Sequence, residues 1–242
     1  MTTNTTATLE RLNAGKILDV ATGAGNFLKF LTDTAMTFTE AIGIDFKEGA
    51  AAPFNETFKD DPRVRFQVMQ AEKMDYPDAA FDTVCISNSL HHLEEPELVL
   101  REMLRVVRPG GTFIISEMYR DGDQTPSQQT HIQLHHWWAD IDSTQGIIHK
   151  KTYTRQELID FAQNLGLEQI ETEDIADLSD DPLAAEVFTE IDPIIERYIE
   201  RAAGNEALQK QGEQIREHLH IVGFHNATSL LLLAKKKDPL SD

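Results

Sequence analysis

Cys85 is the only cysteine among 242 residues, so no disulfide can form within the chain and a cluster of thiolate metal ligands is excluded. Positive charge is scarce too. Against 41 Asp and Glu stand 22 Lys and Arg, for a formal net charge of -19. Such a surface opposes unaided binding to phosphate backbones or anionic lipid, and the acidity reads first as a device for solubility. Long apolar runs are missing. The most apolar stretch, residues 230–234, is far too short to span a bilayer, and residues 1–8 lack the basic-then-apolar order of a targeting signal. The expectation is a cytoplasmic protein with neither nucleic acid nor membrane among its partners.

Hydrophobic residues make up 40% and charged residues 26% of the chain, the balance of a folded globular protein. The length suits one α/β domain with an added helical piece. From residue 16 to 118, short apolar runs alternate with amphipathic stretches, the order of parallel strands joined by crossover helices. Strands are expected at residues 17–20, 41–44, 64–68, 81–86 and 112–116, each apolar enough to be buried on both faces. Helices fit between them at 26–35, 49–58 and 96–107, the last with Pro96 in its first turn. Residues 119–151 show no clean periodicity and read as an insertion rich in His and Trp. Thr154 and Glu157 then form a capping box for a helix ending near Gly166, with a sixth strand at 167–171. Asp181 and Pro182 read as the N-cap and first position of helices that run to about residue 218, broken near Pro193 and Gly204, before a last strand at 229–234.

The chemistry begins where the first strand ends. Leu18-Asp19-Val20-Ala21-Thr22-Gly23-Ala24-Gly25 is a strand running into a glycine-containing turn, with a helix opening at Asn26. Gly23 and Gly25 permit conformations closed to other residues, and the amides at a helix start can hold an anionic group. Asp45 ends the second strand about twenty residues later, where a carboxylate can accept hydrogen bonds from ribose hydroxyls. Phe46 follows, able to lie against a base. A dinucleotide-binding turn would need a third glycine, and this chain has Phe27 and Leu28 there.

These residues resemble the class I S-adenosylmethionine-dependent methyltransferases, in particular the small-molecule group that includes the quinone methyltransferases. The resemblance covers residues 16 to about 119 and rests on five elements in the family's order. The glycine turn is followed by Gly43-Ile44-Asp45, Gln70-Ala71-Glu72, the stretch from Phe81-Asp82 to Leu90-His91-His92-Leu93, and Arg105-Val106-Val107-Arg108-Pro109-Gly110-Gly111. It implies a doubly wound, Rossmann-like, mostly parallel seven-stranded sheet whose final strand runs antiparallel. It also implies S-adenosylmethionine as cofactor, with S-adenosylhomocysteine as product. Asp19, Ala21, Gly23 and Gly25 would surround the methionine moiety, Asp45 the ribose, Phe46 the adenine face, and Gln70, Ala71 and Glu72 the adenine edge. Gln70 stands where the family usually has aspartate, and Ala21 where it usually has glycine.

Methyl transfer from a sulfonium chiefly needs alignment in a dry site, and a base matters only if the acceptor must lose a proton. Asn88, Ser89, His91 and His92 follow the fourth strand, whose carboxyl end should face the reactive side of the cofactor in an open α/β sheet. Asn88 is counted with the cofactor residues, and His91, His92 and His136 are the candidate catalytic residues, His91 or His92 as base and His136 in the acceptor pocket. In the insertion, His131 and His135 lie four residues apart and could hold a metal with Asp140 or Asp142. Packing is the preferred role for that cluster, and no metal is assigned. Trp137, Trp138, Tyr119 and Tyr153 would either line an aromatic acceptor pocket or simply pack.

One domain is expected: a cofactor-binding core at 16–119, an insertion near the acceptor site at 120–152, and a helical lid at 180–220. The lid's apolar stripe would lie on its own sheet or, in a homodimer, against a second subunit. The reading is methyl transfer to a small-molecule acceptor. Its rivals are a nicotinamide-dependent oxidoreductase on the same sheet and a non-catalytic S-adenosylmethionine-binding partner protein.

Overall fold

The computed structural model describes residues 4–239, with side chains from residue 7. After a short helix α1 (Asn4–Leu9), seven strands alternate with helices: β1 (Asn13–Val20), α2 (Asn26–Thr34), β2 (Thr37–Asp45), α3 (Ala51–Thr57), β3 (Val64–Val68), β4 (Phe81–Ser87), α4 (Pro96–Val106) and β5 (Val107–Met118). The second half contributes α5 (Pro126–Thr144), α6 (Arg155–Asn164), β6 (Glu168–Ile175), α7 (Ala185–Arg201), α8 (Glu206–Val222) and β7 (Ser229–Lys235). The strands form one sheet in the order β3-β2-β1-β4-β5-β7-β6. β7 is antiparallel to both β5 and β6, and the other pairs are parallel. This is the expected Rossmann-like, mostly parallel seven-stranded sheet, with every expected strand in place.

Side-chain alternation divides the core. Leu18, Val20, Ile42, Ile44, Val84, Ile86, Phe113 and Ile115 point to one face and meet Val99, Leu100 and Met103 of α4 and Leu158 and Ala162 of α6. Ile17, Ala41, Cys85 and Ile114 point to the other and meet Leu28 and Leu31 of α2 and Phe54 and Phe58 beside α3. Strand order reverses at the β1–β4 boundary, because the chain winds outward to β3 and then returns to the other side of β1. A crevice at the carboxyl ends of the strands follows from that reversal.

The second half departs from expectation in four ways. Residues 119–151 hold a 19-residue helix, α5, opened by a capping box in which Thr125 and Gln128 satisfy each other's amides, with Pro126 at the first turn. Its buried face includes Ser127, Gln128, Thr130 and Asp142, so apolar periodicity could not reveal it. Helix α7 runs unbroken through Pro193. Asp181 caps a turn, not a helix: its side chain accepts from the Leu183 amide, and α7 begins only at Ala185. Finally, α7 and α8 do not lie on the sheet. They pack with α5 around Trp137, Ile141, Ile191, Ile195, Ile215 and Leu219. Pro193 is tolerated where the neighbouring packing holds a helix together despite one lost amide bond. The expected capping box at Thr154 and Glu157 is present at the start of α6.

α5 is latched by its polar face to the segment leading into β7. The Gln128 amide donates to Asn226 O and Thr228 Oγ1, Thr130 Oγ1 donates to Gly223 O, and His131 Nδ1 accepts from the Ala227 amide at 2.9 Å. Gly212 of α8 rests on the Trp137 indole so closely that a Cβ there would lie 2.4 Å from Cζ2. Gly212→Val should therefore loosen the three-helix layer and lower stability by about 1–3 kcal/mol, read by urea unfolding. An unchanged midpoint would mean that the α5–α8 contact contributes little to the fold.

Candidate active site

At the β1 end the chain turns through Ala21 at φ 54°, Gly23 at φ 53° and Gly25 at φ 80° before α2 begins. Space over Gly23 is open, whereas a Cβ on Gly25 would collide with Phe54 and Phe58. Gly25 thus serves the packing of the turn onto α3, and Gly23 marks the open side. The turn is pinned to β2 by the Thr22 amide on Ile44 O and by the Gly23 amide on Asp45 Oδ2 at 3.1 Å. Asp45 Oδ1 accepts from the Lys47 amide at 2.9 Å. Both oxygens are held in place while each keeps acceptor capacity to spare. Beyond Asp45, Phe46 is 59% exposed, and Val68, the β3 partner of Asp45, is exposed too. Gln70, Ala71 and Glu72 follow directly after β3, Gln70 exposed and the other two half-buried.

Asp19 faces inward. It is buried, accepting from Thr22 Oγ1 at 2.5 Å and from the Cys85 thiol at 3.3 Å. Burial lifts its pKa to about 6 despite those donors, and Cys85 beside it is pushed well above the usual thiol range, first by burial and then by the Asp19 charge.

At the β4 end, Asn88 has φ 43° and its Oδ1 accepts from the Met118 amide, tying the β4 loop to β5. Ser89 Oγ donates to Ser87 O and Ala21 O, joining this loop to the glycine turn. The organiser is Glu117, which sequence reasoning missed. Fully buried near the end of β5, it accepts the Ser89 and Leu90 amides on Oε2 at 3.0 and 2.9 Å and meets His91 Nδ1 with Oε1 at 2.8 Å. A charged residue at the end of the apolar run Ile114-Ile115 was the available signal.

Five histidines gather above this loop. His91 is buried with Nδ1 on Glu117, and His92 lies beside it with its surface exposed, ring centroids 4.2 Å apart. His135 of α5 stands 5.2 Å from the His91 ring and His149 stands 5.6 Å from it. His131 adjoins His135 at 5.0 Å, but its Nδ1 is taken by the Ala227 amide. The carboxylates expected with His131 and His135 are engaged elsewhere. Asp140 pairs with Lys151, and Asp142 pairs with His149 and Arg201. His136 lies on another side of α5, its Nε2 2.9 Å from Thr152 Oγ1. Burial is the main cause holding His131 and His136 down to about pKa 4 and His135 to about 2. All three imidazoles are neutral at pH 7. Trp137 is buried in the three-helix layer, its indole donating to Leu208 O, so it packs instead of lining the crevice. Trp138 stacks on Tyr198 and faces His135.

Residues 18–115 match the methyltransferase domain family. The segment is 32% identical over 106 residues to the ubiquinone/menaquinone biosynthesis C-methyltransferase UbiE of Geobacter sulfurreducens, covering 43% of this chain and 41% of that protein. The chain thus spans less than half the length of the curated relatives it matches. Similar folds include the YcgJ protein of Bacillus subtilis, with a TM-score of 0.62, 17% identity and 97% of both chains covered. Another is phosphoethanolamine N-methyltransferase 2 of Haemonchus contortus in complex with S-adenosyl-L-methionine. It has a TM-score of 0.57 and 17% identity, with 96% of this chain and 51% of that one covered.

The buried acid beneath the turn gives a pH test. Because the folded-state pKa of Asp19 is raised from 3.8 to about 6, its contribution favours folding below pH 4 and is lost as pH rises through 6. The difference is on the order of 3 kcal/mol. Asp19→Asn should therefore gain stability relative to the parent between pH 4 and 6, with the gain constant above pH 7. Parallel unfolding curves across that range would show that Asp19 ionises freely in the folded chain.

Proposed function

We propose that this chain, whose residues 18–115 match the methyltransferase domain family, is a class I S-adenosylmethionine-dependent methyltransferase that binds S-adenosylmethionine at the β1–β3 strand ends and methylates a small-molecule acceptor. The observation that carries the reading is Asp45, whose two oxygens are each fixed by one backbone amide and each keep a free lone pair beside an open glycine turn. That arrangement suits a pair of ribose hydroxyls. The exposed Phe46 suits the face of adenine, with Gln70, Ala71 and Glu72 at its edge and Asn88 near the junction with the acceptor. Ala21 and Gly23 leave backbone accessible to the methionine moiety, while Asp19 and Gly25 support the turn from beneath.

When bound, S-adenosylmethionine supplies an electrophilic methyl group on a sulfonium. The residues of the chain must then orient an acceptor and exclude water. The 16–119 core holds the cofactor, the 120–152 segment borders the acceptor, and the 180–220 helices act as a lid through α5, all within one domain. His91 and His92 face the acceptor side from the β4 loop. His136, neutral and bonded to Thr152, is a positioning residue for the segment after α5. The quinone-methylating relatives support a small acceptor.

Calorimetric titration with S-adenosylmethionine, S-adenosylhomocysteine and nicotinamide nucleotides tests the assignment. Selective binding of the two adenosyl ligands is expected, and binding of only a nicotinamide nucleotide would overturn it. Asp45→Ala should weaken binding by about 1–3 kcal/mol through the lost ribose hydrogen bonds. Equal affinity in the variant would remove Asp45 from the site.

A further inference from the structure

Three of the clustered histidines bring ring nitrogens near one another. One nitrogen each of His91, His135 and His149 can be chosen so that all three lie within 4.8 Å of one another. His91 and His149 are 1% and 6% exposed. His91 Nε2, His149 Nε2 and His135 Nδ1 are buried nitrogens without a protein partner.

The rings of His91 and His149 are oriented in the same manner. His91 places Nδ1 on Glu117 at 2.8 Å, and His149 places Nδ1 on Asp142 at 2.7 Å. A carboxylate on Nδ1 fixes the proton there and turns Nε2 into a lone pair. Each carboxylate is itself held, Glu117 by two backbone amides and Asp142 by Arg201 at 2.5 Å. Further, the Lys150 amide donates to His91 O at 2.7 Å, tying the His149 segment to the β4 loop. Carboxylate–histidine pairs of this kind orient metal ligands and raise their basicity. Each of these buried nitrogens needs a partner. A cation satisfies all three.

We propose that His91, His135 and His149 form a binding site for a divalent first-row transition ion, zinc foremost, with Glu117 and Asp142 as the carboxylates that orient two of its ligands. Three neutral imidazoles are the donor set of an open tetrahedral zinc site, and contraction of the nitrogens by on the order of 1 Å brings them to bonding distance. The fourth position is left for a donor from outside the chain. If the methyl-transfer reading holds, that donor is a hydroxyl or thiol of the acceptor, since His91 stands in the loop joined through Ser89 to the glycine turn. A bound metal would lower the pKa of such a group without a protein base.

The test uses the full chain, stripped with chelator and titrated with zinc against a chromogenic competitor, then with cobalt to record visible absorption. One equivalent of zinc and the intense visible bands of four-coordinate cobalt are expected. His135→Ala and His149→Ala should each weaken zinc binding at least about 100-fold, and Asp142→Asn about 10–100-fold. His220→Ala, whose ring pairs with Asp192 on the surface between α7 and α8, should bind zinc as the parent does. Circular dichroism and titration with S-adenosylmethionine accompany each variant. Failure of the folded parent to bind either ion, or undiminished affinity in both folded alanine variants, would overturn the site. Adenosyl-ligand binding in a parent that takes no metal would sink the metal site alone. Metal binding without any adenosyl ligand would sustain the site and defeat the methyl-transfer reading.

Discussion

The carboxylate of Glu117 has no exposed surface, and a charge so placed is costly unless its oxygens are met by donors. Three donors meet them: the Ser89 and Leu90 amides and the His91 ring. Those contacts dictate the path of the chain after β4. They fold the loop back over the end of β5, turn His91 inward, and leave Ser89 reaching the carbonyl of Ala21 across the crevice. The two halves of the candidate site, the glycine turn on β1 and the histidine loop on β4, are therefore coupled through one buried acid. Such an acid contributes to a defined geometry more than to net stability, because its desolvation offsets most of what the hydrogen bonds return.

A second buried acid works the same way on the other flank. Asp142, near the end of α5, joins His149 and Arg201 and so fastens helix α7 to the segment that returns toward the β4 loop. Glu117 and Asp142 each hold one imidazole by its Nδ1. The histidines are thus positioned from two independent elements, one from the sheet and one from the helical layer. His135 sits between them on α5.

The helical layer is also where sequence periodicity failed. α5 has apolar residues, Trp137 among them, on one side for the helices α7 and α8, and buried polar residues on another for the segment leading into β7. A helix buried on two sides by different chemistry shows no single stripe. Its start was nevertheless written in the chain, as Thr125, Pro126 and Gln128 form a capping box with proline at the first turn. Pro193 misled in the opposite sense. It breaks an isolated helix, but α7 is held on both sides of it by Ile191 and Ile195 in the three-helix layer.

By itself the sequence determined the sheet, the strand-to-turn transitions and the residues clustered around Asp45. These depend on neighbours in the chain: an apolar strand, a glycine turn and an acid at the next strand's end report their surroundings through local spacing. Only the tertiary structure decided that Asp19 faces inward, that Glu117 organises the β4 loop, and that His149 joins His91 and His135. Those three histidines are separated by 44 and 14 residues and lie on a loop, a helix and an irregular segment, so no periodicity links them. Their meeting is set by where α5 docks on the strand ends and by which buried carboxylate each ring must satisfy, and both are properties of packing across the whole fold.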